Sequence, residues 1–441
     1  MQTPTHSPTQ APHRVVIAGG GAGGLELAAR LGRLHGPQAV TLVDARPFHI
    51  WKPSLHEAAA GTLDIHQEGL SYLMLANLDH FSFVLGEVQG VDRDRSVVRI
   101  GPVAGPDGRT LIEARELAYD TLVLAIGSVA NFFGTPGAEQ HAVTLETPEN
   151  AEQFRLTILE ALLRLSQAKT HDPSTRLDLV IVGGGATGVE LAAELREAGQ
   201  VIRAYALPRF DPDRDLAITL IEGAPRILAA LPERLSRAAH ARLEEIGVRI
   251  ETGRRVVEVT ARSVRTDDGR SFESDLCLWA AGIRGPRLLE DLRLPLNRMG
   301  QVQVDQRLCT PDPRILAMGD CAAAPWTDGR TVPARAQAAH QQAAYLARVL
   351  DARLRGRPEP QAPYVYRDHG SLVSLGQREG VGSLMGRLAG RGLFISGLLA
   401  RMMYMALHLM HYQQVLGAGR TVSLALARLL MKRTRPRVKL H

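Results

Sequence analysis

The chain alternates short apolar runs with longer stretches whose apolar residues recur at helical spacing. The runs at 15–18, 121–126, 177–182, 216–221, 276–281 and 315–318 are apolar almost throughout, and each stops at a glycine or an acid. Runs so short, with no polar alternation, predict strands buried on both faces, as in parallel sheets. Further strands are expected at 39–43, 81–88, 96–100, 248–252 and 255–260. The late run should continue as strand up to an exposed acid at Asp320. Helical spacing marks 25–34, 149–169, 189–198 and 233–246. Strands taking turns with helices in this order predict an α/β fold.

Two of the strand-to-helix turns carry chemistry. After Val15–Ala18, the glycines Gly19, Gly21 and Gly24 fit G-x-G-x-x-G. The first permits a tight turn, the second lets backbone approach a pyrophosphate, and the third lets helix and strand pack closely. Ala22 and Gly23 complete the turn, and the N-terminus of the helix that follows offers free N–H groups and a positive dipole end to phosphates. The next strand ends in Asp44, twenty residues beyond Gly24, where a carboxylate can accept bonds from a ribose 2′-OH. The pattern then recurs. The strand 177–182 meets the turn Gly183-Gly-Gly-Ala-Thr-Gly188, whose Gly183, Gly185, Ala186, Thr187 and Gly188 precede a helix at 189–198, and the strand 216–221 ends in Glu222. Here the acid lies 34 residues past Gly188, because 200–215 reads as an inserted loop rich in Arg, Asp and Pro. Each unit is closed by an apolar strand ending in glycine, at Gly127 and at Gly282. The expected fold class is therefore α/β with two Rossmann-type dinucleotide-binding domains.

Composition narrows the classes. Hydrophobic residues at 45% and charged residues at 22% are ordinary for a folded protein. The net charge of +6 is unevenly placed. Residues 386–441 hold ten Lys or Arg and no acid, leaving 42 basic against 46 acidic residues before them. A nucleic-acid partner would need a basic body, so none is expected. Three cysteines, with no C-x-x-C and no zinc spacing, argue against a disulfide framework or a metal site. Residues 1–13 lack an apolar core and read as a disordered leader rather than a signal peptide. No run of about 18 apolar residues is present, so no membrane-spanning helix is expected.

Two dinucleotide sites in one chain suit hydride transfer between a nicotinamide and a flavin. The first site is assigned to the flavin, with Asp320 from the late strand reaching its ribityl or pyrophosphate region. That splits the flavin domain into 14–145 and 285–385 around an NADH domain at 146–284. Glu222 would accept from two ribose hydroxyls and repel a 2′-phosphate, favouring NADH over NADPH, with Arg226 read as a surface charge. From 393 to 430 apolar residues mix with arginines at helical spacing. Leu398, Leu399, Met402, Met403, Met405, Ala406, Leu409 and Met410 would form an apolar face with basic flanks. Residues 386–441 are thus expected to lie as amphipathic helices on an anionic bilayer. A dimer interface with a disordered basic end is the alternative.

Longer motifs sharpen this. They are Trp51-Lys-Pro-Ser-Leu-His-Glu57, Gly183-Gly-Gly-Ala-Thr-Gly-Val-Glu190, Trp279-Ala-Ala-Gly-Ile283 and Ala317-Met-Gly-Asp-Cys321. To these add Arg335-Ala-Gln-Ala-Ala-His-Gln341, Asp368-His-Gly-Ser-Leu-Val-Ser374 and Arg435-Pro-Arg-Val-Lys-Leu-His441. With them the chain resembles, over nearly all of 14–441, the type II (single-subunit, non-proton-pumping) NADH:quinone oxidoreductases, close to the bacterial respiratory NADH dehydrogenases. Ser54 departs from the leucine common there. The resemblance implies a peripheral, homodimeric flavoenzyme on the cytoplasmic face of the bacterial inner membrane, with non-covalent FAD, NADH as substrate and a membrane quinone as acceptor. It implies Glu190 near nicotinamide and flavin, Gln337 and Gln341 beside the flavin at the quinone pocket, and His369 as a basic group near the flavin. Lys52 and Pro53 would line the flavin channel. Val88, Ala125 and Gly127 complete the expected flavin contacts, and Ala281 and Gly282 those of NADH. His340 is divided between ligand contact and a core role. Rival readings are a sulfide:quinone-type or other NADH-linked flavoprotein reductase, and a redox sensor holding FAD and NAD without turnover.

Overall fold

The computed structural model describes residues 13–204, 210–376, 380–384, 393–431 and 438. All but His13 of the leader expected at 1–13, and most of the closing basic run, lie outside the described residues. The chain forms two units. One holds residues 1–49, 70–128 and 284–366, the other 50–69, 129–283 and 367–441.

The first unit is built on a five-stranded parallel sheet in the order Ile315–Ala317, Thr121–Leu124, Val15–Ala18, Val40–Asp44, Ser82–Leu85. Val15 pairs with Val40 on one side and Thr121 on the other, so the glycine-bearing strand is central. All four of its residues are buried, as an apolar run covered on both faces requires. The helix Ala22–His35 crosses to the second strand. The stretch at 81–88 is not one strand: Gly86, at φ +150°, ends it at Leu85, and a new strand starts at Val88. That strand begins an antiparallel meander of Val88–Asp92, Val97–Ile100 and Arg115–Ala118. The late strand stops at Ala317, and Asp320 sits in a following 3₁₀ turn, Gly319–Cys321, which Gly319 opens at φ +70°.

The second unit repeats the plan. Its parallel sheet runs Ala142–Val143, Leu276–Trp279, Leu177–Val182, Leu216–Glu222, Val248–Thr252, and its meander is Val256–Val259, Ser263–Thr266, Ser271–Glu273. The helix after the glycines runs Ala186–Ala204, longer than its apolar spacing alone indicated. Helix therefore takes up the start of the supposed loop at 200–215, and Pro212–Asp215 forms a further short turn of helix. The unit also carries an antiparallel sheet, Gly370–Ser374, Gly380–Leu384 and Leu393–Ser396, which the sequence reading missed. Two helices follow, Gly397–Leu416 and Ala418–Met431. They are fastened to the 50–69 segment: Trp51 lies 4.2 Å from the His411 ring, and Arg428 pairs with Glu68. Val438 is buried and lines a small apolar cavity with Ile158, Leu162, Leu195 and Ile202.

Candidate functional site: two dinucleotide cradles

In the first unit, Gly19 adopts φ +106°, a conformation L side chains rarely take, and turns the chain from strand into helix. A Cβ on Gly24 would stand 1.9 Å from the Gly19 carbonyl oxygen, so glycine is what lets helix and strand close. Gly21 is different. Its φ of −61° suits any residue, and a Cβ there would meet nothing within 4 Å. The fold does not ask for glycine at 21. The helix start carries no acid and no side-chain cap, which leaves its N–H groups for an anion. Asp44 accepts hydrogen bonds from the Gly20 amide at 2.7 Å and the Arg46 amide at 2.9 Å. These two bonds aim the Asp44 carboxylate along the turn.

Around this turn the unit is closely covered. The Gly20 carbonyl accepts from the Tyr72 hydroxyl at 2.6 Å and from His49 Nδ1 at 3.0 Å. Both side chains are buried. Burial holds the His49 imidazole neutral, with its pKa pushed down to about 4, and pushes the Tyr72 hydroxyl up. The helix Ala336–Leu354 packs against the first helix, since a Cβ on Gly23 would strike the Met318 methyl and approach the Ala339 carbonyl at 3.0 Å. His340 pairs with the buried carboxylate of Glu26, which also holds Arg30. His340 therefore ties the two helices together. Gln342 accepts the Gly319 amide at 2.7 Å, and Ser128 donates to Asp320 at 3.2 Å. This brings Asp320, Gly127 and Ala125 to the carboxyl edge of the sheet that carries Gly19. Gln337 and Gln341 lie one turn apart on the partly exposed side of their helix, and Val88 is half-buried at a bulge in the meander.

The second cradle copies the first in detail. Gly183 has φ +112°, a Cβ on Gly188 would stand 2.0 Å from the Gly183 carbonyl, and one on Gly185 would meet nothing within 4 Å. Glu222 accepts from the Gly184 amide at 2.6 Å and the Ala224 amide at 2.7 Å, as Asp44 does from its two amides. Arg226, read as a solvated charge, instead donates to the carbonyls of Leu228, Ala229 and Leu231 and shapes the neighbouring loop. Ala281 and Gly282 close the strand beside the turn, with Gly282 at φ +151°. Gly185, Ala186 and Thr187 are all exposed.

Glu190 lies one turn further along the same helix. It is buried, accepts the Ser374 amide at 3.1 Å and has His56 Nδ1 at 3.5 Å. Glu194, one more turn on, accepts from Thr62 at 3.1 Å, and ligand-type atoms of His56, Glu57 and Glu194 lie within 4.8 Å of one another. Sequence reading did not foresee this polar network, although the i, i+4 spacing of Glu190 and Glu194 and the His56-Glu57 pair were its available signal. Lys52, Pro53 and His369 are exposed in this unit. Cys277 and Cys321 are buried, and burial pushes each thiol up to about 12.

Two cradles, each with a spare glycine and a braced acid, define a two-dinucleotide α/β protein. The model of the pyridine nucleotide-disulphide oxidoreductase family matches residues 13–343. A type II NADH:quinone oxidoreductase of Haemophilus influenzae is 37% identical over 97% of this chain and 99% of its own length, and one of Mycobacterium tuberculosis is 30% identical over 92% and 86%. The chain belongs to the type II NADH:quinone oxidoreductases within that larger family. The structure of NDH2 from Plasmodium falciparum in complex with NADH shares the fold, with a TM-score of 0.81 at 17% identity over 98% of this chain and 100% of that one.

Proposed function

We propose that this protein oxidises NADH and passes two electrons, with two protons, to a quinone held in a lipid bilayer. FAD would be its resident non-covalent cofactor, and no proton pumping would accompany the reaction. One observation carries this reading: each cradle keeps a middle glycine, Gly21 or Gly185, that its own fold does not require. Bound FAD supplies the chemistry of accepting a hydride and releasing electrons. The chain's part is to hold and orient. The helix starts at Ala22 and Ala186 would take the two pyrophosphates, and Asp44 and Glu222 the adenosine riboses. Asp320 would take the flavin's ribityl region, and Gln337 and Gln341 its ring. Glu190 would stand at the nicotinamide, and Lys52, Pro53 and His369 at the flavin channel.

A bilayer acceptor is supported by the helices at 397–431. Leu399, Met402, Met405, Leu407 and Met410 are exposed on the first, and Val422, Leu426 and Leu430 on the second, while His411, Tyr412 and Val415 face inward. Among the described residues no helix is long and apolar enough to cross a membrane. An exposed apolar face on helices whose sequence carries arginines and no acid suits a segment lying in an anionic leaflet, here the cytoplasmic face of the cell membrane. A homodimer is proposed with it. The full-length protein should carry a flavin absorption band, turn over NADH continuously with a soluble quinone and sediment with anionic vesicles. Replacing Leu399, Met402 and Met410 together with Gln should release it from vesicles and leave soluble-quinone turnover intact. Flavin that bleaches once and is not reoxidised by quinone would favour a redox sensor and sink the enzymatic reading.

A further inference from the structure

Seven non-glycine residues have positive φ among the described residues, and Phe133, at φ +52°, is the one that exposes an apolar ring. Leu228 and Leu308, which share the conformation, are buried and repaid by packing. Phe133 is 60% exposed. A bulky side chain held in the left-handed region without burial is a strained arrangement that the surroundings must impose.

The surroundings do impose it. The Phe133 amide donates to Asn131 Oδ1 at 2.9 Å, the Asn131 amide donates to the Gly282 carbonyl at 3.0 Å, and the Trp279 indole N–H donates to the Asn131 carbonyl at 2.9 Å. Phe132 packs on Trp279 with ring centroids 5.6 Å apart. Asn131 is thus fixed to the end of the strand Leu276–Trp279, and it sets the backbone of Phe133. The Cζ edge of the ring then abuts Gly282, where a Cβ would come within 2.7 Å of Phe133 Cζ. Glycine at 282 makes room for the edge of this ring, and most of the ring stays exposed.

The sheet order places that ring. Leu276–Trp279, Leu177–Val182 and Leu216–Glu222 are consecutive neighbours, so Gly282 and Glu222 flank the turn 183–188 on opposite sides. A dinucleotide with its adenosine ribose at Glu222 and its pyrophosphate on the turn extends its other half over Gly282. We infer that Phe133 is a nicotinamide-positioning residue, whose exposed ring packs against the nicotinamide half of the bound dinucleotide. An aromatic face attracts a cation, so the contact is strongest with the pyridinium of NAD⁺. The inference rests on the second cradle being the nicotinamide-nucleotide site.

Calorimetric titration of the full-length flavin-loaded protein separates the two claims. The probes are NAD⁺ and ADP-ribose, which keeps the adenosine ribose and pyrophosphate but lacks nicotinamide. In Phe133→Leu, and in Phe133→Asn, whose side chain tolerates the left-handed backbone, NAD⁺ affinity should fall about tenfold, within the range of an aromatic–cation contact. ADP-ribose affinity should stay within about twofold, and Phe133→Tyr should restore NAD⁺ binding. Equal losses for both ligands, no loss for NAD⁺, or tighter NAD⁺ binding once the ring is gone would each overturn the inference while leaving the nucleotide site standing. Wild-type protein that binds neither ligand would overturn both.

Discussion

The two units share the order of four sheet strands, a three-stranded antiparallel meander, the same strained first glycine and the same acid braced by two amides, yet they close the sheet with different fifth strands and cover their helix starts differently. In the first, Gly23 is buried and Ala22 half-buried, Tyr72 and His49 close over the Gly20 carbonyl, and the Ala336–Leu354 helix is locked on by His340 and Glu26. In the second, the matching Ala186 and Thr187 are exposed, while the middle glycines Gly21 and Gly185 are exposed and the third glycines Gly24 and Gly188 buried in both. A ligand ringed by buried, already satisfied groups leaves slowly, because leaving must disturb packing, whereas an open helix start lets one exchange. The contrast supports a resident flavin in the first cradle and an exchanging nicotinamide nucleotide in the second. Duplication of one domain plan thus yields two roles through side chains outside the shared motif.

The largest effect that could break this contrast is at the third glycines. A Cβ on Gly24 or Gly188 meets a backbone oxygen at 1.9 or 2.0 Å, which no side-chain adjustment relieves. Overpacking of that kind costs about 3 kcal/mol, or roughly 100-fold in affinity where it distorts a binding turn. Gly24→Ala should purify without flavin. Gly188→Ala should keep its flavin and lose NAD⁺ binding. Flavin content by absorbance and NAD⁺ binding by calorimetry read the two independently, and either variant losing both ligands would undo the assignment of one nucleotide to each cradle.

Much of this was legible in the sequence because it is local. Glycine spacing, apolar runs and a terminal acid are written within some 30 residues, and the sheets follow from them. What stayed hidden depends on residues far apart in the chain. Glu26 and His340 are 314 positions apart, and nothing in either neighbourhood announces their pairing. The sequence left His340 divided between ligand and core roles; its bond to Glu26 gives it a structural duty. Phe133 was passed over because its strain is a backbone property that composition does not record. The sheet at 370–396 was missed because its glycines and polar residues mask any period.

A middle-sized effect sharpens the contrast through pH. Burial lowers the His49 pKa from 6.5 in the unfolded chain to about 4 in the first unit. The unfolded state therefore takes up the proton first, and the folded state loses ground as pH falls from 6.5 toward 4. The stability at neutral pH is full, and about 2 kcal/mol of it should be gone at pH 5. His49→Gln keeps a donor for the Gly20 carbonyl but cannot titrate. Denaturant unfolding at pH 7.5 and pH 5 should show the variant losing about 2 kcal/mol less than wild type between the two. Flavin release should follow the same trend, and NAD⁺ affinity should not. An identical pH loss in variant and wild type would remove His49 from the account.

The smallest effect tests the feature the two cradles share most closely. Asp44 and Glu222 each brace two backbone amides, so Asp44→Asn and Glu222→Gln should each weaken the local turn by a similar amount, on the order of 1 kcal/mol per bond put at risk. Their ligand readouts should diverge. Glu222→Gln removes the charge that repels a 2′-phosphate, and the ratio of kcat/KM for NADH over NADPH should fall about tenfold, equivalent to about 1.4 kcal/mol. Asp44→Asn should leave that ratio alone and loosen the flavin instead. If Asn at 44 shifted the ratio, or Gln at 222 left it unchanged while stability dropped, the acids would be turn-braces only, and the choice of nucleotide would have to come from elsewhere in the second unit.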